Sequence, residues 1–324
     1  MFSNLELRVI ATLAYSKQFK FPLSTEEIFY RLVSSQVVVD EGWVGRATAV
    51  TITLGAIRNT LLALHAEGVV ETNGKLWSLG SSSELFAHRT SATRCTQQKA
   101  PSIDHLVALL SKVPWVEALF VTGSVAVQNA LQHDDIDVLV VTRQRRLWIT
   151  RLWVLILAIV TGRRVGAHHQ DGMDWCFNLW LETDHLQVPT QKHGLYEAYE
   201  VLQAKCVWSK PAVAARWLTE NSWVSAFVPH EYRRQMKAID TPITTTDMQF
   251  SLAGILGDVV NWMAYILQMG YRLLRYAERP KTYEAAFFHS QNTKLVLYGQ
   301  WRRIVNRIYH PELLQKTTIY SKHT

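Results

Sequence analysis

Apolar residues return every three or four positions at the start of the chain. Leu5, Val9 and Leu13, with Arg8 and Thr12 beside them, predict one apolar face of a first helix. A second helix is announced by Ser24-Thr25-Glu26-Glu27 after Pro22, where Ser24 can accept from the free amides and Glu27 can reach back; Ile28, Phe29, Leu32 and Val33 then supply a core face. A third spans 47–67, with Ile52, Ala56, Leu61 and Leu64 as its apolar positions and Gly68 as its stop. VVETNGKLWSL follows, two β-prone runs around Asn73-Gly74, a pair that tolerates positive φ and signals a hairpin. Three helices and a hairpin predict a winged helix over 1–80.

The pattern then lapses. Residues 81–101 are polar without a sustained apolar period and read as a linker, either irregular or helical. From 102 to 190 strands and helices alternate: a helix over 103–110, a strand over 117–121, Gly123-Ser124 opening a short helix, a strand over 136–141, a helix over 147–161 and a strand over 175–181. Alternation of this length predicts a layered α/β core with a mixed sheet. Residues 191–324 read as a helical region, with helices over 196–203, 213–223 and 252–274. In the last of these, Leu252, Ile255, Leu256, Val259, Met263, Ile266, Leu267 and Leu274 recur at helical spacing, and TPITTTD before it reads as a loop. The fold class expected is therefore α+β and multidomain.

Composition narrows the setting. With 324 residues and 48% hydrophobic content the chain can bury two or three cores, which excludes disorder. The formal charge of +7 falls almost wholly after residue 230 and permits an anionic partner without requiring one. Cys95, Cys176 and Cys206 are far apart and odd in number, which fits a reducing compartment, and Glu6 and Arg8 interrupt any signal-like apolar run, so a cytoplasmic location is expected. The longest apolar stretch, 152–160, is about half of the roughly 20 residues that span a bilayer and reads as a buried helix rather than a membrane segment.

The candidate chemistry lies in VTGSVAVQNALQHDDIDVLVVT. Gly123 lets the backbone come close to a ligand, and Ser124 opens a helix whose free amides can hold phosphate. Strand alternation points Asp135 and Asp137 the same way, with Ile136 and Leu139 in the core. Two carboxylates at that spacing repel unless a cation joins them, and Mg2+, which takes a few carboxylate oxygens with phosphate and water, is the natural one.

These residues resemble the signature of the nucleotidyltransferase superfamily typified by DNA polymerase beta: Gly-Gly or Gly-Ser after a hydrophobic residue, then about ten residues on an acid-hydrophobic-acid-hydrophobic run. Thr122-Gly123-Ser124 and Asp135-Ile136-Asp137-Val138 match it, with Thr122 a mild departure. More narrowly the whole chain is similar to a bacterial group that joins a winged helix to this core, through RRLWITR, CFNLWL, LYEAYE and NSWV. The resemblance implies transfer of a nucleoside monophosphate from a nucleoside triphosphate to a hydroxyl, with Asp135 and Asp137 as metal ligands. It does not supply the acceptor, for which protein, RNA and a small molecule all stand open.

The superfamily adds a third acid on a neighbouring strand, and here the chain departs. Alternation along 174–182 puts Cys176, Asn178, Trp180 and Glu182 on one face, with Asn178 at the matching position; its amide can offer a carbonyl oxygen but cannot act as a base. Glu182 is the alternative. Arg146 and Arg151, after the second strand, are candidates to clamp the triphosphate, against a plainer role as a solvated turn and an ion pair. His168-His169 lacks further ligands at zinc spacing, and Trp208, Trp217, Trp223, Trp262 and Trp301 read as core more readily than as base-stacking surfaces. A second functional class stays in view: a DNA-binding regulator or antitoxin-like protein on a weakened catalytic fold. Against DNA binding, the third helix carries little beyond Arg46, Arg58 and Asn59 for phosphates.

Overall fold

The computed structural model describes residues 1–47, 51–80, 83–160, 174–239, 252–276, 285–287 and 292–310; the side chain of Asn178, His168-His169 and the TPITTTD stretch lie outside the described parts. Within these the protein is α+β, with one small antiparallel sheet and one mixed sheet.

The N-terminal module runs α1 (Asn4–Lys17), β1 (Leu23–Ser24), α2 (Thr25–Arg31), α3 (Ser35–Asp40), α4 (Leu54–Ala66), β2 (Val70–Thr72) and β3 (Leu76–Leu79). Its strands order β1-β3-β2, all antiparallel. The expected capping box is present: the Glu27 amide donates to Ser24 Oγ at 3.1 Å and the Ser24 amide to Glu27 Oε2 at 2.8 Å. Ser3 and Glu6 form a second one at the start of α1. The short α3 was not foreseen, and α4 starts at Leu54, later than the periodicity implied. Gly74 takes the left-handed conformation at φ +87°, while Asn73 Oδ1 accepts the Lys75 and Leu76 amides to hold the turn.

The stretch expected to be a linker is helical. α5 (Ser83–Gln98) carries mostly polar side chains, and α6 (Ala100–Leu110) follows almost without a break. Long-range contacts stabilise α5 where apolar periodicity is missing: the Arg89 guanidinium lies 3.7 Å from the Phe21 ring centroid and 2.7 Å from Glu27 Oε1.

The second sheet contains β4 (Val116–Val121), β5 (Ile136–Thr142), β6 (Trp175–Glu182), β7 (Lys205–Ser209) and β8 (Ala285–Phe287), in the order β7-β4-β5-β6-β8. Among the described strands of this sheet, β5 and β6 pair in parallel and the other pairs are antiparallel. Between its strands the chain forms α7 (Gly123–Ala126), α8 (Leu147–Val160), α9 (Leu195–Gln203), α10 (Val213–Glu220), α11 (Pro229–Lys237) and α12 (Leu252–Tyr276), and α13 (Asn292–Tyr309) follows β8. The sheet therefore extends beyond residue 190: β7 and β8 come from the stretch that reads as purely helical, because KCVWS is too short for its pattern to stand out.

The two faces of this sheet carry different cores. Ile136, Val138 and Val140 face a cluster with α6, α8 and α12, whereas Leu139 and Val141 face a cluster shared with α9, α10 and the whole N-terminal module. Leu139 thus lies on the Asp137 face and not with Ile136. That second cluster is continuous from α1 to α13, so the N-terminal module is built into the body of the protein. Trp301 donates to the Ala11 carbonyl at 2.9 Å, Trp43 to Asn306 Oδ1 at 2.7 Å and the Tyr199 hydroxyl to the Arg31 carbonyl at 2.7 Å.

Candidate functional site

β4 ends at Val121 and the chain turns at Gly123, whose φ of +64° lies in the left-handed region that favours glycine. A Cβ at this position would stand 2.4 Å from Asp137 Oδ2, so the absence of a side chain is what lets the turn close against that carboxylate. The Thr122 amide donates to the Asp137 carbonyl at 2.9 Å, fixing the corner to the next strand. Gly123 and Asp137, fourteen positions apart, are thus brought together by the antiparallel β4–β5 pair.

Ser124 is held by a residue that the sequence reading passed over. Its Oγ donates to Asp134 Oδ2 at 2.8 Å, and the Leu131 amide donates to the same oxygen at 2.9 Å. Asp134 thereby ties the first turn of α7 to the approach of β5. Beneath this loop Lys99, buried, donates to the Asp134 carbonyl at 2.7 Å. Burial lowers its pKa, opposed by the charges of Asp134 and then of Cys95 and Asp135. Only the neighbouring acids in HDDID could have hinted at Asp134; Lys99 lies in the stretch taken for a linker. α7 itself is one turn long, so its dipole is slight and any anion held here is held by individual amides.

Over the Asp137 face lies α9, which brings Tyr196, Glu197 and Glu200. Burial, then the charges of Asp137 and Glu197, raise the Glu200 carboxyl from the ordinary 4.5 to about 7. Tyr196 is raised beyond the usual range by burial first and by Glu200, Glu197 and Asp137 after it. Glu197 is partly neutralised by Lys294 at 2.7 Å. These carboxylates add negative charge on the Asp137 face. Sequence reasoning missed Glu200 because LYEAYE reads as an ordinary amphipathic helix and its placement depends on β7 and the crossover.

The expected third position behaves differently. In β6 the register slips between Asp137↔Cys176 and Leu139↔Leu179, so Phe177 and Asn178 together oppose Val138. A bulge of this kind breaks the alternation. Cys176 shares the Asp137 face, while Trp180 belongs to the opposite core with Trp175 and Phe177, so Cys176, Trp180 and Glu182 do not share one face. Glu182 pairs with Thr142, five residues past Asp137, about 16 Å along the strand at ~3.3 Å per residue. There it is 1% exposed and accepts the Arg146 and Leu147 amides, both at 3.1 Å. Burial raises its pKa against those hydrogen bonds. Glu182 therefore anchors the start of α8 and is not at the Gly123 corner. With Asp184 and His185 it brings ligand atoms within 4.8 Å of one another, a cluster that could hold a metal ion.

Arg146 and Arg151 are also at this far end. Arg146 donates to Asp258 Oδ1 at 2.6 Å, Arg145 to Asp258 Oδ2 at 3.0 Å, and Arg151 to Gln268 Oε1, all on α12. Asn261 Oδ1 accepts the Trp148 and Ile149 amides at 2.9 and 3.0 Å. With Glu182 on the two preceding amides, the whole N-terminus of α8 is occupied by side chains. The triphosphate clamp expected of Arg146 and Arg151 is thus not assembled at Gly123; these arginines fasten α8 to α12.

An open cleft of about 670 Å³ lies on the Asp137 side of β4 and β7, lined by Tyr30, Arg31, Lys205, Trp217 and Arg234 among others. Lys205 pairs with Val121, the last residue of β4 before the Gly123 corner. Among the described residues no helix is long and apolar enough to cross a membrane. Compared with known proteins, the chain matches no family model, no curated protein and no solved structure.

Proposed function

We propose that this protein is a nucleotidyltransferase, moving a nucleoside monophosphate from a nucleoside triphosphate to a hydroxyl of an acceptor still to be identified. The observation that carries the reading is the closure of a left-handed Gly123 onto the Asp137 carboxylate. A side-chain-free corner beside an acid is what phosphate and a cation together require: amides approach the phosphate while carboxylates face the metal.

Asp135 and Asp137 would hold Mg2+, which when bound supplies charge to the phosphates during displacement. Ser124, fixed by Asp134, keeps the corner in shape. Glu200 of α9, rather than Glu182, lies on the Asp137 side of the sheet, close enough for its charge and that of Asp137 to be felt by one another. The acceptor oxygen bonds to the α-phosphorus, the bond to the bridging oxygen breaks, diphosphate leaves and the hydroxyl proton passes to solvent. The cleft beside Lys205 is the natural berth for the acceptor, because its rim adjoins the corner.

The N-terminal module is read as a winged helix from its element order and its β1-β3-β2 sheet. DNA remains a candidate partner through the outer face of α4, with Arg58 and Asn59.

The test is incubation of the purified protein with α-labelled nucleoside triphosphates, Mg2+ and cell lysate, followed by separation of protein, RNA and small molecules. Label should appear in one fraction with the native chain and be lost with Asp137→Ala. Equal labelling by both proteins, or none with all four nucleotides, would overturn the reading.

A further inference from the structure

α12 is amphipathic in the unexpected sense. Its polar residues Asn261 and Gln268 are buried against α8, where Asn261 caps the helix and Gln268 donates to the Trp148 carbonyl at 2.9 Å. Ala264 and Met269 pack inward, but most of its large apolar residues point outward: ten between Ile255 and Leu273 are exposed, among them Trp262 at 56% and Leu267 at 64%. At 100° per residue, Ile255, Val259, Trp262 and Ile266 form one line, with Leu256, Met263 and Leu267 beside it, so the apolar arc covers about half the circumference. The stretch 255–271 contains one charge, Asp258, and both of its oxygens are taken by arginines on the buried side. α8 carries the surface further through Trp153, Ile156 and Ile159, also exposed.

We propose that this face is the interface of a homodimer, α12 lying against the same helix of a second copy. Size is the first argument. Trp262 and Tyr271 carry roughly 150–250 Å² each and the eight aliphatic side chains roughly 60–120 Å² each, so at about half exposure they leave on the order of 400–800 Å² in water, to which Trp153, Ile156 and Ile159 of α8 add. An ordinary monomer's largest apolar patch is about 300–600 Å², and a standard interface takes ~800 Å² per partner. Self-complementarity is the second argument. A two-fold axis sets each residue's surroundings against their own kind, which an uncharged face satisfies without a matched partner pattern. Gly270, on the same arc, meets nothing within 4 Å of where a Cβ would stand, leaving a notch two turns from Trp262 for a bulky side chain of the other copy. A lipid surface fits less well, because interfacial helices rim their apolar face with Lys and Arg along its length, whereas α12 has only Arg272 and Arg275, both in its last turn and a half.

Sedimentation of the full chain tests this without reference to its activity. The native protein should run at twice its 37.1 kDa in the micromolar range. Trp262→Asp and Leu267→Asp, at positions with few internal contacts, should each weaken association by about tenfold or more while leaving the circular dichroism unchanged, since each buries a charge at the interface. A native chain that stays monomeric at tens of micromolar overturns the proposal, as does a dimer indifferent to both aspartates. A monomer that floats with phosphatidylcholine–phosphatidylglycerol vesicles, and ceases to with Trp262→Asp, would assign the face to lipid instead.

Discussion

Replacing Glu200 by Gln should make the protein more stable in mild alkali and leave it nearly unchanged in mild acid. Glu200 ionises near about 7 in the folded protein, against 4.5 for an ordinary glutamate, because burial and the charges of Asp137 and Glu197 disfavour its anion. A folded-state pKa above the unfolded one means that the folded chain holds the proton more tightly. Stability from this group is therefore complete below about pH 4.5 and is lost as pH rises toward about 7. At about 1.4 kcal/mol per pH unit the gap is worth about 3 kcal/mol, an upper bound because Glu200 is half-buried and water reaches part of it. Gln has the same shape and no charge to lose. Thermal melts of the native chain and Glu200→Gln at about pH 5 and about pH 8, without divalent cation, should coincide at the lower pH and separate by roughly 5 °C at the higher, the mutant melting later. If Asp137 takes up a cation, its charge no longer opposes ionisation of Glu200, so millimolar Mg2+ should narrow the separation. Equal differences at both pH values, or a native chain that gains stability between them, would refute the reasoning.

Gly123→Ala should cost about 1–3 kcal/mol from its left-handed backbone, and should also disturb nucleotide transfer by pushing a methyl group into the Asp137 carboxylate, as melts and transfer assays would record. Arg146→Ala and Arg151→Ala should lower the melting temperature, with losses of about 1–2 kcal/mol each, while leaving the KM for the triphosphate within about twofold, because both side chains are committed to α12. Glu182→Ala should lose about 1–2 kcal/mol by uncovering two amides of α8, whereas Glu182→Gln, which keeps an acceptor, should lose less in the same urea titration.

What could be read from the sequence was what is local. The Ser24–Glu27 box, the Asn73-Gly74 turn and the strands on either side of Gly123 each depend on a few adjacent residues, and each is where it was expected. The face of β6 was misjudged because alternation holds only in an unbroken register, and nothing in CFNLWL marks the slip opposite Val138. The capping of α8 by Glu182 and Asn261 joins residues 35 and 113 positions apart, beyond any spacing rule. Periodicity in α12 correctly gave a helix and its apolar arc but says nothing about which side looks inward. The same limit applies to 152–160, expected to be a buried helix: Val154 is buried while Ile156 and Ile159 face out.

The Trp301–Ala11 hydrogen bond spans 290 positions. α1, buried on nearly every side, has one wall made by α13, near the opposite end of the chain. During synthesis α1 emerges long before that wall exists, so its Ala11 side stays unsheltered until α13, some 290 positions later, has been made. Completion of the core around α1 is thus a late event, and α13 works as a clasp whose loss would loosen a helix made far earlier in the chain.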